Sequence, residues 1–146
     1  MGKQGIIYVA TNPAMMCLLK FGKTDRDCPA IRLRELFSTG VPIAFDCAYA
    51  AVVDNNTEVE NYLANRYVKR RLLPNREFYL LTVPTAIKAI KPFEVENVTL
   101  TTRKEIDALL TDKQRADRKA AREMLQKVYP DAVTSRNAHL TIRSDK

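Results

Sequence analysis

Two short apolar stretches near the start of the chain decide the fold: GIIYV at residues 5–9 and LKFGKT at residues 19–24. Both contain residue types that favour β-strands, and the intervening Asn12-Pro13 is a typical turn sequence. The pattern predicts two paired strands. Each predicted strand has a glycine near a tyrosine or lysine, so polar side chains are expected on this hairpin.

A helix and a third strand are predicted next. The helix is expected to begin with Pro29 in its first turn and with Asp27 or Cys28 as its N-cap, and it carries Arg32. It is expected to end near Ser38-Thr39-Gly40, and an apolar run follows at residues 47–53. That run predicts a buried strand.

A second helix is predicted to start in the polar sequence Asn55-Asn56-Thr57 and to contain Glu60. Thr57 and Glu60 have the spacing of a capping box, in which the Glu60 side chain would bond the start of its own helix. With Asn55 or Asn56 as the N-cap, Glu60 would lie further into the helix and could face the sheet. Both interpretations stay open at this point. An Asn-Arg-Glu-Phe-Tyr element at residues 75–79 and a helix at residues 84–91 follow.

The order of these motifs resembles the compact phage-type branch of the GIY-YIG nuclease superfamily, over about residues 5 to 91. The resemblance implies an α/β (α+β) fold, a small sandwich in which helices flank a mainly antiparallel three-stranded sheet. It also implies a metal-dependent endonuclease that hydrolyses phosphodiester bonds in DNA. The sequence predicts neither the strandedness of the DNA substrate nor the oligomeric state of the protein.

The resemblance also assigns the chemistry to particular residues. Tyr8 would position or deprotonate the attacking water, Arg32 would clamp the scissile phosphate, and Glu60 would hold Mg²⁺ or Mn²⁺. A guanidinium group matches phosphate geometry, and a divalent metal on a carboxylate can activate water. The expectation is that Tyr8, Lys20, Arg32 and Glu60 converge on one concave face.

Further residues of the motifs have supporting roles. Lys20 stands where many relatives have a second tyrosine, and Lys23 resembles a lysine that other members direct at the active site. Gly22 gives structural support. Glu77 is predicted to fix the end of the domain by accepting hydrogen bonds from Arg71 or Arg76.

Two positions depart from the pattern of the family. Ala64 follows Glu60 by one helical turn, where the compact branch often has histidine, and Leu36 follows Arg32 by one turn, where other branches have histidine or tyrosine. Without histidine, proton transfer would depend on Tyr8 and the metal. The alternative function is therefore a catalytically silent nucleic-acid-binding module or a regulatory partner on the same fold.

The stretch from Arg66 to Arg76 contains no acidic residue, and the helix from Thr57 is expected to continue through it. Uncompensated positive charge favours a nucleic-acid backbone, because phosphates neutralise it. A solvated helix end is the alternative interpretation. The predicted nucleic-acid-binding residues are Arg66, Lys69, Arg70, Arg71 and Arg76.

Composition excludes several other classes. The net charge of +7 is compatible with a polyanionic partner. His139 is the single histidine and the three cysteines are far apart, so neither a Ser-His-Asp triad nor a zinc knuckle has enough members. No apolar run is long enough for a membrane span, and no secretory signal pattern is present, so a cytoplasmic protein is expected.

The chain changes character beyond residue 92. We predict a nuclease domain at residues 1–92 and a C-terminal extension at residues 93–146. A capping box at Thr102 and Glu105 predicts a single charged helix over about residues 103–128, which docks at its ends and exposes its centre. A mobile basic tail is expected from Ser135.

Overall fold

A computed structural model describes residues 4–15, 17–25, 29–35, 43–74 and 77–130 of the chain. The elements in chain order are β1 (Gly5–Thr11), β2 (Leu19–Thr24), α1 (Pro29–Glu35), β3 (Asp46–Val53), α2 (Asn56–Arg66), β4 (Phe78–Tyr79), α3 (Val83–Ile90), β5 (Glu96–Asn97), α4 (Thr99–Leu109) and α5 (Asp112–Val128). Short 3₁₀ turns span Val68–Arg70 and Lys91–Phe93.

The strands form one antiparallel sheet in the order β4-β2-β1-β3-β5. The α+β class is confirmed, but the sheet has five strands and not three. The two additional strands are the edge strands, each only two residues long. Segments this short carry no recognisable alternation of apolar and polar residues, which is why the sequence pattern does not reveal them.

Helices cover both faces of the sheet. Successive side chains of a strand point to opposite faces, and accordingly Ile7 and Val9 belong to a core with residues of α2 and α3. Ile6, Tyr8 and Ala10 belong to a second core with residues of α1 and α4. The strand β1 is buried along its whole length because both of its faces are covered.

The N-terminus of α2 decides between the two interpretations of Glu60. The side chain of Asn55 is the N-cap and accepts a hydrogen bond from the backbone amide of Glu58 at 3.1 Å. The capping box of Thr57 and Glu60 is therefore not used. Glu60 lies more than one turn into the helix, and its carboxylate is available for another role.

The expected continuation of α2 through the basic stretch is wrong. The helix ends at Arg66, the 3₁₀ turn follows, and Arg71 then forms an antiparallel bridge with Tyr79. The chain therefore turns back along the sheet edge instead of extending away as a helix. Arg76, Asp27, Cys28 and Leu36 lie outside the described residues.

The predicted helix over 103–128 is also wrong, because α4 and α5 are separate helices. The break is set by Thr111 and Gln114, which form a capping box at the start of α5. Thr102, the expected cap, is buried inside α4. The division of the chain at residues 92 and 93 stays a prediction.

The centre of the charged helix was expected to be exposed, and this expectation is wrong for Arg118. Arg118 and Arg122 bond the carboxylate of Asp46, at 2.6 Å and 2.5 Å, and the Arg118 side chain is only 12% exposed. The tail from Ser135 and His139 lie outside the described residues. Within the described residues, no helix combines the length and apolar character that crossing a bilayer requires.

Candidate active site at the edge of the sheet

The site is built on the register of β1 and β2, which places Tyr8 directly opposite Gly22. A Cβ atom at position 22 would lie well under 3.0 Å from Cζ and Oη of Tyr8. The phenol ring therefore lies over Gly22, and only glycine leaves room for it. This contact explains the structural support predicted for Gly22 and directs the Tyr8 hydroxyl toward β2.

The part of β2 beside Tyr8 forms the edge of the sheet. The strand β4 pairs only with Leu19 and Lys20, and no strand of the described chain covers residues 21–24 on that side. Tyr8 itself is buried, and it lies beside this unpaired part of the sheet edge.

The environment of Tyr8 keeps its hydroxyl protonated. Burial raises the pKa of Tyr8 to about 12, the positive charge of Arg32 opposes that rise, and Glu77 and Glu60 add to it. A neutral phenol at physiological pH is a poor base, but it can orient a water molecule by hydrogen bonding. Arg32, Glu60 and Glu77 are therefore all within electrostatic reach of the Tyr8 hydroxyl.

Glu60 is the central carboxylate of the site. Partial burial raises the pKa of Glu60, and the negative charge of Glu77 raises it further, while Lys23 and Lys20 lower it. Two acidic and two basic side chains from β2, α2 and the segment before β4 thus influence one another. The positive charges of the two lysines oppose the effects of burial and of Glu77, so the half-buried carboxylate of Glu60 can still ionise.

Lys20 and Glu77 form an ion pair with 3.2 Å between Nζ and Oε1. The Lys20 side chain is 12% exposed, and its ammonium group lies 5.9 Å from the centroid of the Phe78 ring. The pairing follows from the β2–β4 register, in which Lys20 is opposite Phe78. The sequence suggested arginine partners for Glu77 and did not suggest Lys20.

A small cavity of about 120 Å³ contains both carboxylates. Ala64 lines it, and its small side chain leaves open space beside Glu60. The lining residues are Phe21, Glu60, Asn61, Ala64, Arg71, Glu77 and Tyr79.

Arg32 approaches the site from the other face of the sheet. It lies on α1, where Nη1 is 3.6 Å from Oε1 of Glu35 and the side chain is partly exposed. An exposed ion pair of this length contributes little to stability. The guanidinium group can therefore turn from Glu35 to a phosphate at small cost.

The prediction of one shared concave face is wrong in its geometry. Tyr8 packs in the core with α1 and α4, whereas α2, which carries Glu60, packs on the opposite face with Val59 and Leu63. The groups approach one another around the edge of β2 near Gly22, and not across a single face. An edge site can take charged groups from both layers of helices.

The donor set fits a hard divalent cation. Mg²⁺ is usually held by one or two carboxylates together with water and substrate phosphates, and Glu60 and Glu77 line the same cavity. The described residues contain no group of three or more acidic, histidine or cysteine side chains that could enclose a metal completely. Glu60 alone or with Glu77 would leave most coordination positions to water and phosphate.

The predicted phosphate-binding cations lie beyond this cavity along the chain. Arg66, Lys69 and Arg70 are exposed, and Nε of Arg66 donates to the Tyr67 hydroxyl at 3.1 Å. Arg71 stacks on the ring of Tyr79, with 5.9 Å from Cζ to the ring centroid. Arg71 thus faces the cavity, and the other three face solvent.

The sequence suggested Asn56 only as a possible N-cap and did not predict its contacts with β2. Its side-chain nitrogen donates to the Thr24 carbonyl at 3.2 Å and to Oδ1 of Asp25 at 3.0 Å. A Cβ atom at position 5 would overlap with the same amide, so Gly5 gives it room. These contacts fasten the start of α2 to the end of β2 and thereby position Glu60. The glycine at the start of an apolar strand was the available signal.

One comparison with known protein families gives a match. A family model described as the T5orf172 domain matches residues 5–94, which contain every element of the candidate site. No curated protein and no solved structure matches the chain. Because the matched region is more than half of the sequence, the chain belongs to the T5orf172 domain family.

Proposed function

We propose that the protein is an endonuclease that hydrolyses phosphodiester bonds in DNA with Mg²⁺ or Mn²⁺. The T5orf172 domain is phage-associated and related to nucleases, which supports a role on nucleic acid. The observation that carries the proposal is the placement of Tyr8, Lys20 and Glu77 along one sheet edge, beside the cavity that Glu60 lines. The charge of Arg32 acts on Tyr8 there, and the charge of Lys23 acts on Glu60. Phosphodiester hydrolysis needs this combination of anion-binding, metal-binding and water-orienting groups.

In this mechanism the cations bind the substrate. Arg32 leaves its weak contact with Glu35 and donates two parallel hydrogen bonds to the scissile phosphate. Lys20 and Lys23 add positive charge on the β2 side of that phosphate and offset the charge that develops on its oxygens. The proposed DNA track then continues over Arg66, Lys69 and Arg70.

Tyr8 and Glu60 act on the attacking water. The protonated phenol of Tyr8 orients the water by hydrogen bonding. Its raised pKa leaves almost no phenolate at physiological pH, so Tyr8 does not act as the base. Glu60, assisted by Glu77, would hold the divalent cation. When bound, that cation lowers the pKa of water and neutralises phosphate charge.

The direct test is cleavage of single-stranded, duplex and branched DNA by the purified protein with Mg²⁺ and with Mn²⁺. The proposal expects cleavage of at least one substrate by wild type and none by Glu60→Gln. Glu58→Gln is the matched control, because Glu58 is exposed on the first turn of the same helix. Equal cleavage by wild type and Glu60→Gln would assign the activity to another site or to a contaminant.

A catalytically silent DNA-binding module is the second candidate function. Ala64 favours it, since the cavity has no histidine beside Glu60. Salt-dependent DNA binding without metal-dependent cleavage of any of the three substrates would establish this alternative. Both functions predict a steep loss of affinity with salt, because several phosphates are neutralised.

A further inference from the structure

The segment after α2 exposes an unusual combination of apolar and basic side chains. Leu72 is 48% exposed and Leu73 is 50% exposed. Lys69 and Arg70 precede them in the chain, separated from Leu72 by Arg71, and are also exposed. We refer to Leu72 and Leu73 as the apolar tip.

The backbone around the apolar tip is ordered by antiparallel pairing. The amide of Leu72 donates to the Phe78 carbonyl at 2.9 Å, and the amide of Leu80 donates to the Arg70 carbonyl at 2.9 Å. Leu72 therefore lies on a paired ribbon formed by residues 70–72 and 78–80, and Leu73 is the next residue after it. A fixed backbone lowers the entropy cost of inserting these side chains into a partner.

The ribbon brings the apolar tip close to the candidate active site. Phe78 pairs with Leu72 through the ribbon and with Lys20 through the β2–β4 register. Its neighbour Glu77 lines the cavity and bonds Lys20. A substrate held at Lys20 and Glu60 would therefore pass beside Leu72.

The charge of the surface around the apolar tip indicates which class of partner would bind there. Between Glu60 and Glu77 the chain contains no acid, so the surface beside the apolar tip is positive. A partner must bring both negative charge and apolar faces. Nucleic acid does so, since its phosphates meet cations while an unstacked base step accepts an apolar side chain.

We propose that Leu72 and Leu73 insert against unstacked bases of duplex DNA while Lys69 and Arg70 bind the adjacent phosphates, so that the protein distorts the duplex beside the candidate active site. This inference rests on the proposed function and specifies how its substrate is held. Opening a base step costs free energy, which contacts to the distorted DNA can offset. The expected substrate preference is for sequences or junctions that are already easy to unstack.

The test is fluorescence of 2-aminopurine placed successively along a short duplex, measured without divalent metal so that the DNA stays intact. Wild type should raise the fluorescence at one or two adjacent positions, because unstacking relieves quenching. The double variant Leu72→Ser/Leu73→Ser should remove that rise and weaken binding about tenfold, from the loss of apolar burial. Its salt dependence should stay unchanged.

Two further variants separate insertion from simple charge attraction. Leu100→Ser is the matched control, because Leu100 is 71% exposed on α4 and far from the basic stretch in sequence; it should behave as wild type. Lys69→Gln/Arg70→Gln should reduce the salt slope by about 2, one for each phosphate contact. At saturation it should still give the fluorescence rise.

The outcomes distinguish this inference from the proposed function. DNA binding by wild type with no fluorescence change at any position overturns the insertion of Leu72 and Leu73 and leaves the nuclease proposal intact. Failure of wild type to bind single-stranded, duplex or branched DNA overturns the proposed function itself. A change of oligomeric state in the double leucine variant, with unaltered fluorescence, would assign the apolar tip to protein association and overturn the inference.

Discussion

Glu77 accepts a charge-assisted hydrogen bond from Lys20 across 57 residues of sequence, with 3.2 Å between the two side chains. The pair fixes the ammonium group of a nearly buried lysine next to the cavity that contains Glu60. This geometry allows Glu77 to position Lys20, in addition to its place beside Glu60, the carboxylate that we propose binds the metal.

The first prediction concerns this pair. Glu77→Gln should lower kcat by about tenfold or more with little change in KM, because supporting partners of an active-site group typically contribute that much. Glu77→Asp should recover part of the loss. Single-turnover cleavage kinetics check the effect on catalysis.

Stability provides the control for Glu77. The Glu77 side chain is half exposed, and a Gln side chain can still accept a hydrogen bond from Lys20, so urea unfolding of Glu77→Gln should match wild type to within about 1 kcal/mol. Glu123→Gln, an exposed change on α5, should alter neither rate nor stability. A large loss of stability in Glu77→Gln would show that Glu77 is structural and does not act through Lys20.

The second prediction concerns pH. Burial and the charge of Glu77 raise the pKa of Glu60 above its usual value, so Glu60 takes up a proton at a higher pH than an ordinary glutamate. Metal binding and cleavage should therefore decline as the pH falls through this raised pKa. Removing the charge in Glu77→Gln should lower the pKa of Glu60, and removing the opposing charge in Lys23→Gln should raise it.

Carboxyl ¹³C NMR titration of the metal-free protein measures the pKa of Glu60 without relying on activity. The two variants should shift its midpoint in opposite directions. Identical midpoints in wild type and both variants would mean that the three side chains do not interact.

The third prediction separates metal binding from phosphate binding. Glu60→Gln should reduce cleavage by at least about a hundredfold and leave most DNA affinity intact, because the metal acts mainly on the transition state. Arg32→Ala should reduce both, since its charge meets the phosphate already in the ground state. Fluorescence anisotropy and cleavage rates on the same DNA give both quantities.

Folding of these variants can be checked independently. Glu60 is not part of the helix cap, which Asn55 provides, so Glu60→Gln should fold as wild type. A loss of DNA affinity in Glu60→Gln as large as that in Arg32→Ala would contradict the separate roles.

Local sequence features predicted the centre of the fold well. The strands β1 and β2, the start of α1 at Pro29 and the position of β3 follow from apolar runs bounded by turn residues or proline. The cap at Asn55 was one of the open alternatives, because neighbouring Asn and Thr residues can each cap a helix. The break before α5 has a local signal as well, because Thr111 and Gln114 have the spacing of a capping box.

What the sequence did not predict depends on contacts between distant residues. The partner of Glu77 is set by how β4 pairs with β2, and β4 is too short to recognise. The arrangement of Tyr8 and Glu60 around an edge depends on which face each helix covers. No single segment of the sequence predicts either property, because both arise from the packing of the whole sheet.

The fourth prediction concerns the attachment of α5. No residue of this helix is buried, and Asp46 holds it through Arg118 and Arg122. Asp46→Ala should destabilise the protein by about 1–3 kcal/mol, because a nearly buried charged hydrogen-bond network loses its acceptor. It should also speed limited tryptic cleavage within α5.

Asp54→Ala is the control for the Asp46 variant. Asp54 is exposed and accepts only a long hydrogen bond from Gln4 at 3.3 Å, so its removal should have little effect. Equal tryptic cleavage within α5 in wild type and Asp46→Ala would show that other contacts hold the helix in place.

The last prediction concerns Gly22 and Tyr8. Gly22→Ala places a methyl group where the Tyr8 ring lies, and the ring is 1% exposed with little room to move. The variant should lose about 1–3 kcal/mol of stability, the usual cost of overpacking a core, and cleavage should fall because the hydroxyl is displaced. Tyr8→Ala alone should also destabilise the protein, since it removes a large buried side chain. In the double variant the alanine methyl meets no ring, so the combined loss should be smaller than the sum of the two single losses by about 1 kcal/mol or more. Urea unfolding of the four proteins measures this interaction, and strictly additive losses would show that residue 22 does not make room for the phenol.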